Sequence, residues 1–169
     1  NLPSDHNQNT QYKSSEVEFT IFFEDPAGEN HYEIELYYEG SGEVTDQDGN
    51  QFETTYGQFA YLYSKNPAYE QDYRNDPGII VNDRLFDQQE ASIDFQTFIP
   101  ANAQLKVKVY LREITGEFFK YDMSYSLQRS NRGDPLSQPV QVFSNIQNGF
   151  GIVGARNTTY LEDSIFIAK

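Results

Sequence analysis

From Glu16 onward, apolar and polar side chains alternate in runs of strand length, the pattern of a half-buried β-strand. Val17, Phe19, Ile21 and Phe23 mark one such run, and Tyr32, Ile34, Leu36 and Tyr38 mark another. Asp25-Pro26-Ala27-Gly28-Glu29-Asn30 lies between them as turn material, so the pair predicts a hairpin. Gly40 to Asn50 reads as the loop of a second hairpin, with Asp48-Gly49 at its tip. Phe52 to Tyr63 then reads as one or two strands, Ser64 to Pro77 as a polar excursion, and Gly78 to Val81 as a short strand. Ala91–Ile99 and Leu105–Leu111 resume strict alternation and are expected to be neighbours.

The period changes once. Thr115 and Glu117 suit a helix start, while Phe118, Tyr121 and Tyr125 recur at near-helical spacing. Arg129 suits the last turn, and Gly133 with Pro135 closes the element, giving one α-helix near residues 115–130. Pro139 to Gly154 opens with strand-like Val140, Val142 and Phe143 and ends in three glycines, which predicts a buried, bent strand under other elements. Ser164 to Ala168 is the last strand. The whole reads as mainly β, an antiparallel β-sandwich of Greek-key or jelly-roll type. Residues 1–14 lack periodicity and are expected to be a flexible lead-in to a single domain over 15–169.

Charge narrows the partners. Twenty-six acidic against 12 basic residues leave a net charge of −14, which repels nucleic-acid phosphates and anionic lipid. No apolar run reaches membrane-span length. Cysteine is absent and histidine is confined to His6 and His31, so Ser-His-Asp, Cys-His and histidine-ligated zinc chemistry lack their parts. The expectation is a protein that is not an enzyme.

Several motifs carry a chemical suggestion. Gly149, Gly151 and Gly154 match a dinucleotide-binding G-x-G-x-x-G, yet Arg156-Asn157-Thr158-Thr159-Tyr160 is poor helix material and too little chain follows for the crossover. Asp46, Asp48 and Asn50 present alternating oxygens beside a turn glycine and are the candidate calcium ligands. An EF-hand is excluded because its twelfth position, counted from Asp46, is Gly57. Arg132-Gly133-Asp134 spells an adhesion tripeptide but reads as turn chemistry. Tyr56, Tyr61, Tyr63, Tyr69 and Tyr73 are the candidate ligand-binding residues, since aromatic rings with a polar handle suit a glycan or peptide surface. Tyrosines on strands also form cross-strand pairs, and the same residues serve that reading.

Four segments together resemble one family. Phe23 to Tyr32 (FEDPAGENHY) is similar to its F-x-D-P-x-G-x-N-x-Y stretch, and Asn82 to Phe86 to its D-x-x-F segment. Ile114 to Tyr121 is similar to its helix start, although Gly116 stands where an acid is usual. Asn131 to Gly154 is similar to its closing P-V-x-V-x-S-N-I-x-N-G-x-G-I-F-G, with Val153 in place of Phe. The family is an uncharacterised one of Bacteroidota cell-envelope lipoproteins, typically encoded beside TonB-dependent receptors. The resemblance implies the carboxy-terminal part of a longer lipid-anchored precursor, placed at the outer membrane and exposed to periplasm or cell surface. It implies a domain accessory to a receptor barrel, binding that receptor or its ligand. The alternative is a stand-alone carbohydrate- or peptide-binding module. A glycosidase-type enzyme using paired carboxylates ranks third.

Overall fold

Alternation sends every second side chain of a strand to the same face, and that rule divides this chain into an inside and an outside. The structure, a computed structural model, describes residues 14–45, 48–69, 76–100, 104–132 and 138–166. Along them run β1 (Ser14–Glu24), β2 (His31–Thr45), β3 (Gln51–Ala60), β4 (Tyr63–Ser64) and β5 (Ile79–Asn82). β6 (Glu90–Pro100), β7 (Gln104–Ile114), α1 (Gly116–Ser130) and β8 (Arg156–Phe166) follow. The strands form a sheet of order β1-β6-β4 and a second of order β3-β2-β7-β8, with β5 beside the start of β2. Every pairing among the described residues is antiparallel. The described residues are mostly β with one α-helix, as the periodicity implies, and the two sheets pack as a sandwich.

The core lies between the sheets. β2 contributes Tyr32, Ile34, Leu36 and Tyr38, β6 contributes Ala91, Ile93, Phe95 and Ile99, and β7 contributes Leu105 and Val107. Phe19 of β1 meets Phe95 edge-on at 4.7 Å between ring centres. Burying a side chain such as Phe95 stabilises the fold by about 1.5–3 kcal/mol. Thr97 is the polar exception on β6. It is fully buried, and its hydroxyl donates to the Tyr61 carbonyl at 2.8 Å.

Two pairing expectations and one loop boundary are corrected. β1 and β2 do not form a hairpin; they belong to different sheets, and Phe23 meets Tyr32 across the core at 4.8 Å. Residues 25–30 are longer than a tight hairpin turn and step between layers that stack about 10 Å apart. That arch is fixed at both feet, where Asp25 N–H donates to the Gln89 carbonyl at 3.1 Å and Asp83 N–H to that of Asn30 at 3.2 Å. Likewise β6 and β7 lie in different sheets, β6 paired along its whole length with β1 and β7 with β2. Gly40 does not open a loop but continues β2, which extends to Thr45.

The stretch from Pro139 to Gly154 is not a buried strand. Residues 138–155 have no regular structure and return the chain from α1 to β8. Val140, Val142 and Phe143 are half-buried. There the chain bonds to α1 instead of a strand: Phe143 N–H donates to Ser124 Oγ at 2.9 Å, and Gln128 Nε2 donates to the Val140 carbonyl at 3.4 Å. The helix forms where expected, with Thr115 at its N-cap position. The Thr115 side chain does not cap; its oxygen instead accepts from Ala155 N–H at 3.4 Å. The Phe119 ring lies against His31 at 4.3 Å, tilted by 43°, which sets the first turn of α1 over the outer face of the larger sheet. No described helix is long and apolar enough to cross a membrane.

Candidate functional site

The arch between β1 and β2 gathers acids that lie far apart in sequence. Asp25, Asp83 and Asp87 each bring one carboxylate oxygen within 4.8 Å of the others, and the first two are buried. Asp25 accepts from the Tyr32 hydroxyl and, at 3.1 Å, from Gln88 N–H. Asp83 accepts from Asn30 N–H at 2.6 Å, and Asp87 from Gly28 N–H at 3.4 Å. Burial, reinforced by its bond to Asp25, pushes the Tyr32 hydroxyl well above its ordinary pKa. Each carboxylate thus takes a backbone donor that the arch would otherwise leave unpaired, so the acids close the arch. Among the described residues this group differs from the sequence-derived one. Asp48 and Asn50 sit exposed at the β2–β3 turn, and Asp46 lies outside the described residues.

A second cluster occupies the outer face of the larger sheet. Glu33 is buried there, with Arg112 Nη1 and Arg156 Nη1 each at 3.4 Å, and Glu35 also pairs with Arg112. Arg112 lies over the Tyr110 ring at 5.0 Å and Arg156 over Phe118 at 4.3 Å. Beside it an aromatic row crosses the sheet. Tyr37 and Phe59 are 5.3 Å apart, Phe59 and Tyr110 6.2 Å, and Tyr110 and Tyr160 5.9 Å. The rings tilt against each other by 45° to 65°, and Lys108 lies over the Tyr160 ring at 5.9 Å. Rings placed this way spend much of their area on each other and on cations, as cross-strand pairs do. Gly57 permits the row, since a Cβ there would lie 2.2 Å from the Tyr37 hydroxyl. A shallow groove of about 630 Å³ runs past Tyr37, Glu39, Gly57 and Lys106 at its margin.

The tyrosines expected to share a binding face do not converge. Tyr61 and Tyr63 are exposed at the edge of the smaller sheet, where Tyr63 approaches Phe98 at 6.3 Å. Tyr69 is in the core against Phe86, and Tyr56 points inward, half-buried beside Tyr38. Tyr73 lies outside the described residues. Tyr37, Phe59, Tyr110 and Tyr160 are not among the candidates that the sequence offers, because their adjacency exists only once β3, β2, β7 and β8 are in register. His31 is buried against Phe119, and burial lowers its pKa below 6.5.

The feature that most resembles a contact surface is the return loop. Residues 138–155 contain no charged side chain, in a chain whose net charge is −14. Phe150 is 100% exposed and Val153 73%, with Ile146 also at the surface. Asn145 holds the loop closed: its amide nitrogen donates to the Val153 carbonyl, and its amide oxygen accepts from Val153 N–H, both at 2.8 Å. Asn145 N–H also donates to the Gly151 carbonyl at 3.3 Å. One side chain thereby acts as a strand partner, and the apolar tip is held out from the body.

A family model described as Domain of unknown function (DUF4249) matches residues 2–162. No curated protein and no solved structure matches the chain.

Proposed function

The chain belongs to that family of domains of unknown function, and from this premise we propose a non-enzymatic contact domain of the cell envelope. In this reading it is part of an outer-membrane lipoprotein, exposed to periplasm or cell surface, and accessory to a TonB-dependent receptor. The resemblance of the arch and of the closing motif to envelope lipoproteins supports the setting. The observation that carries contact over catalysis is the return loop, with wholly exposed Phe150 on a closed, charge-free frame. Exposed apolar groups set among neutral polar ones are what a protein interface selects at its centre.

A photo-crosslinking residue placed at position 150 of the envelope-anchored protein should trap a receptor barrel. The same residue at position 22, where Phe22 is exposed on the smaller sheet, should not. Phe150→Ser should abolish co-purification with the barrel and change stability by less than about 0.5 kcal/mol, because the ring buries nothing. Crosslinking that is equal at both positions, or absent at position 150, would remove the loop from the interface.

A second reading, a stand-alone glycan- or peptide-binding module, draws on the Tyr37, Phe59, Tyr110 and Tyr160 row beside the groove. A glycan array bound by the chain, and lost on Tyr160→Ala, would favour it.

A further inference from the structure

We propose that the open side of the sandwich, between β1 and β8, receives an extended strand from a partner protein in which apolar residues alternate with Lys or Arg. The inference concerns a different surface from the return loop and stands whether or not that loop binds a receptor.

Topology places β1 and β8 on the same side. The chain passes from β3, at one edge of the larger sheet, to β4, at one edge of the smaller sheet, through Tyr61 and Leu62 alone. Those two edges are therefore adjacent, and Leu62 is buried between them. The opposite edges are β8 and β1, which no described segment bridges.

Both strands are incompletely covered on their inner faces. Val17, Phe19 and Ile21 of β1 are half-buried, whereas their cross-strand partners Thr97, Phe95 and Ile93 on β6 are at most 1% exposed. On β8, Leu161 pairs with inward-facing Val109 and so points inward too, yet it is 78% exposed. Ile165, on the same face of β8, packs on the core. A sandwich residue that faces inward and stays in water marks a place where the facing layer is short by a strand.

The free edge of β1 can accept that strand. β1 pairs with β6 over eleven residues, and no described strand pairs with its other side, so backbone N–H and C=O groups are presented along it. It contains no proline, and none of its residues has positive φ. Strand addition of this kind takes affinity from the backbone and specificity from alternate side chains.

Charge selects the occupant. The outward side chains of β1 include Glu16, Glu18 and Glu24, and among the described residues Lys65 pairs with Glu18. Basic residues at the outer positions of an incoming strand would face these acids, and apolar residues at its inner positions would cover Leu161, Phe19 and Ile21. A second copy of this chain would instead bring a strand that carries Glu16, Glu18 and Glu24 and no basic residue, with a further −14 of charge.

Amide hydrogen exchange on the 169-residue chain tests this, with a nine-residue peptide alternating valine and lysine as probe and one alternating valine and glutamate as comparison. The valine–lysine peptide should slow exchange at alternate β1 amides by at least about tenfold, with the effect reduced at high salt. Leu161→Ser should weaken that protection. Leu161→Lys, which changes a position already in water, should remove it while leaving the circular dichroism of the free protein unchanged. Protection confined to the β3 edge, equal protection by the glutamate peptide, or protection untouched by Leu161→Lys would overturn the proposal. A peptide-free dimer that protects the same β1 amides would overturn it too, by giving the open side to a second copy.

Discussion

His31 shows how a single position is decided by what surrounds it. Desolvation lowers its pKa most, while Glu29 and Asp83 pull it upward and Lys120 and Arg84 push it further down. The folded value therefore lies below the unfolded value near 6.5, and the unfolded chain binds more protons in between. The contribution of neutral His31 to stability is complete above about pH 6.5, is lost as pH falls toward the folded value, and levels off below it. His31→Phe keeps an aromatic ring against Phe119 without the titration. The urea midpoint of the parent should fall between about pH 7.5 and 5.5, and that of His31→Phe should fall less. Equal slopes would mean that other groups supply the dependence. The same dependence on surroundings explains why the tyrosines scattered. Alternation counted along one strand gives the parity of Tyr32 and Tyr38, but residues 67–69 form a 3-10 turn that resets the count and carries Tyr69 into the core.

Strands and the helix were legible because each advertises itself through local periodicity, which burial of one face imposes. Their partners were not. β1 and β2 look like a hairpin on paper, yet both carry complete apolar faces, and two such faces can close against each other across a core as readily as lie side by side in one sheet. What tips the balance here is the arch, whose acids Asp25, Asp83 and Asp87 come from two distant segments. The return loop misled for a related reason: Val140, Val142 and Phe143 alternate like a strand, but the surface they meet is a helix. Its glycines act in two ways: Gly149 and Gly154 keep a Cβ from crowding Ile146 at 2.8 Å and Thr115 at 3.0 Å, whereas Gly151 acts through backbone angle. Gly151 has φ +111° and nothing within 4 Å of where a Cβ would sit. Gly151→Ala should therefore loosen the loop through strain alone, costing about 1–3 kcal/mol locally. Exchange of the Asn145 and Val153 amides should accelerate while the core strands stay protected. If thermal stability and those amides are both unchanged, the positive φ is not held by the surrounding hydrogen bonds.

At the scale of the whole molecule, two electrostatic effects oppose each other, and their balance can be measured. A net charge of −14 on one small body stores self-repulsion that favours the unfolded chain. Against it stand ion pairs such as Lys106–Glu162 at 2.6 Å and Lys108–Glu162 at 2.8 Å, whose hydrogen bonds hold Glu162 below its usual pKa. Those pairs are solvent-facing, so salt weakens them too, whereas the Glu33, Arg112 and Arg156 cluster is shielded by burial of Glu33. Repulsion summed over the whole surface acts at longer range than any pair, and it is the first term that added salt removes. Raising sodium chloride from about 0.01 M to about 0.3 M should therefore raise the unfolding temperature by a few degrees, on the order of 1 kcal/mol for a chain of this size. The open side adds a second expectation to the same measurement. The glutamates along β1 contribute to the repulsion, so Glu16→Gln with Glu24→Gln should raise the low-salt unfolding temperature and flatten its rise with salt. A midpoint that falls with salt would show that the ion pairs outweigh the net charge, and would take away the electrostatic reason for a basic partner at that edge.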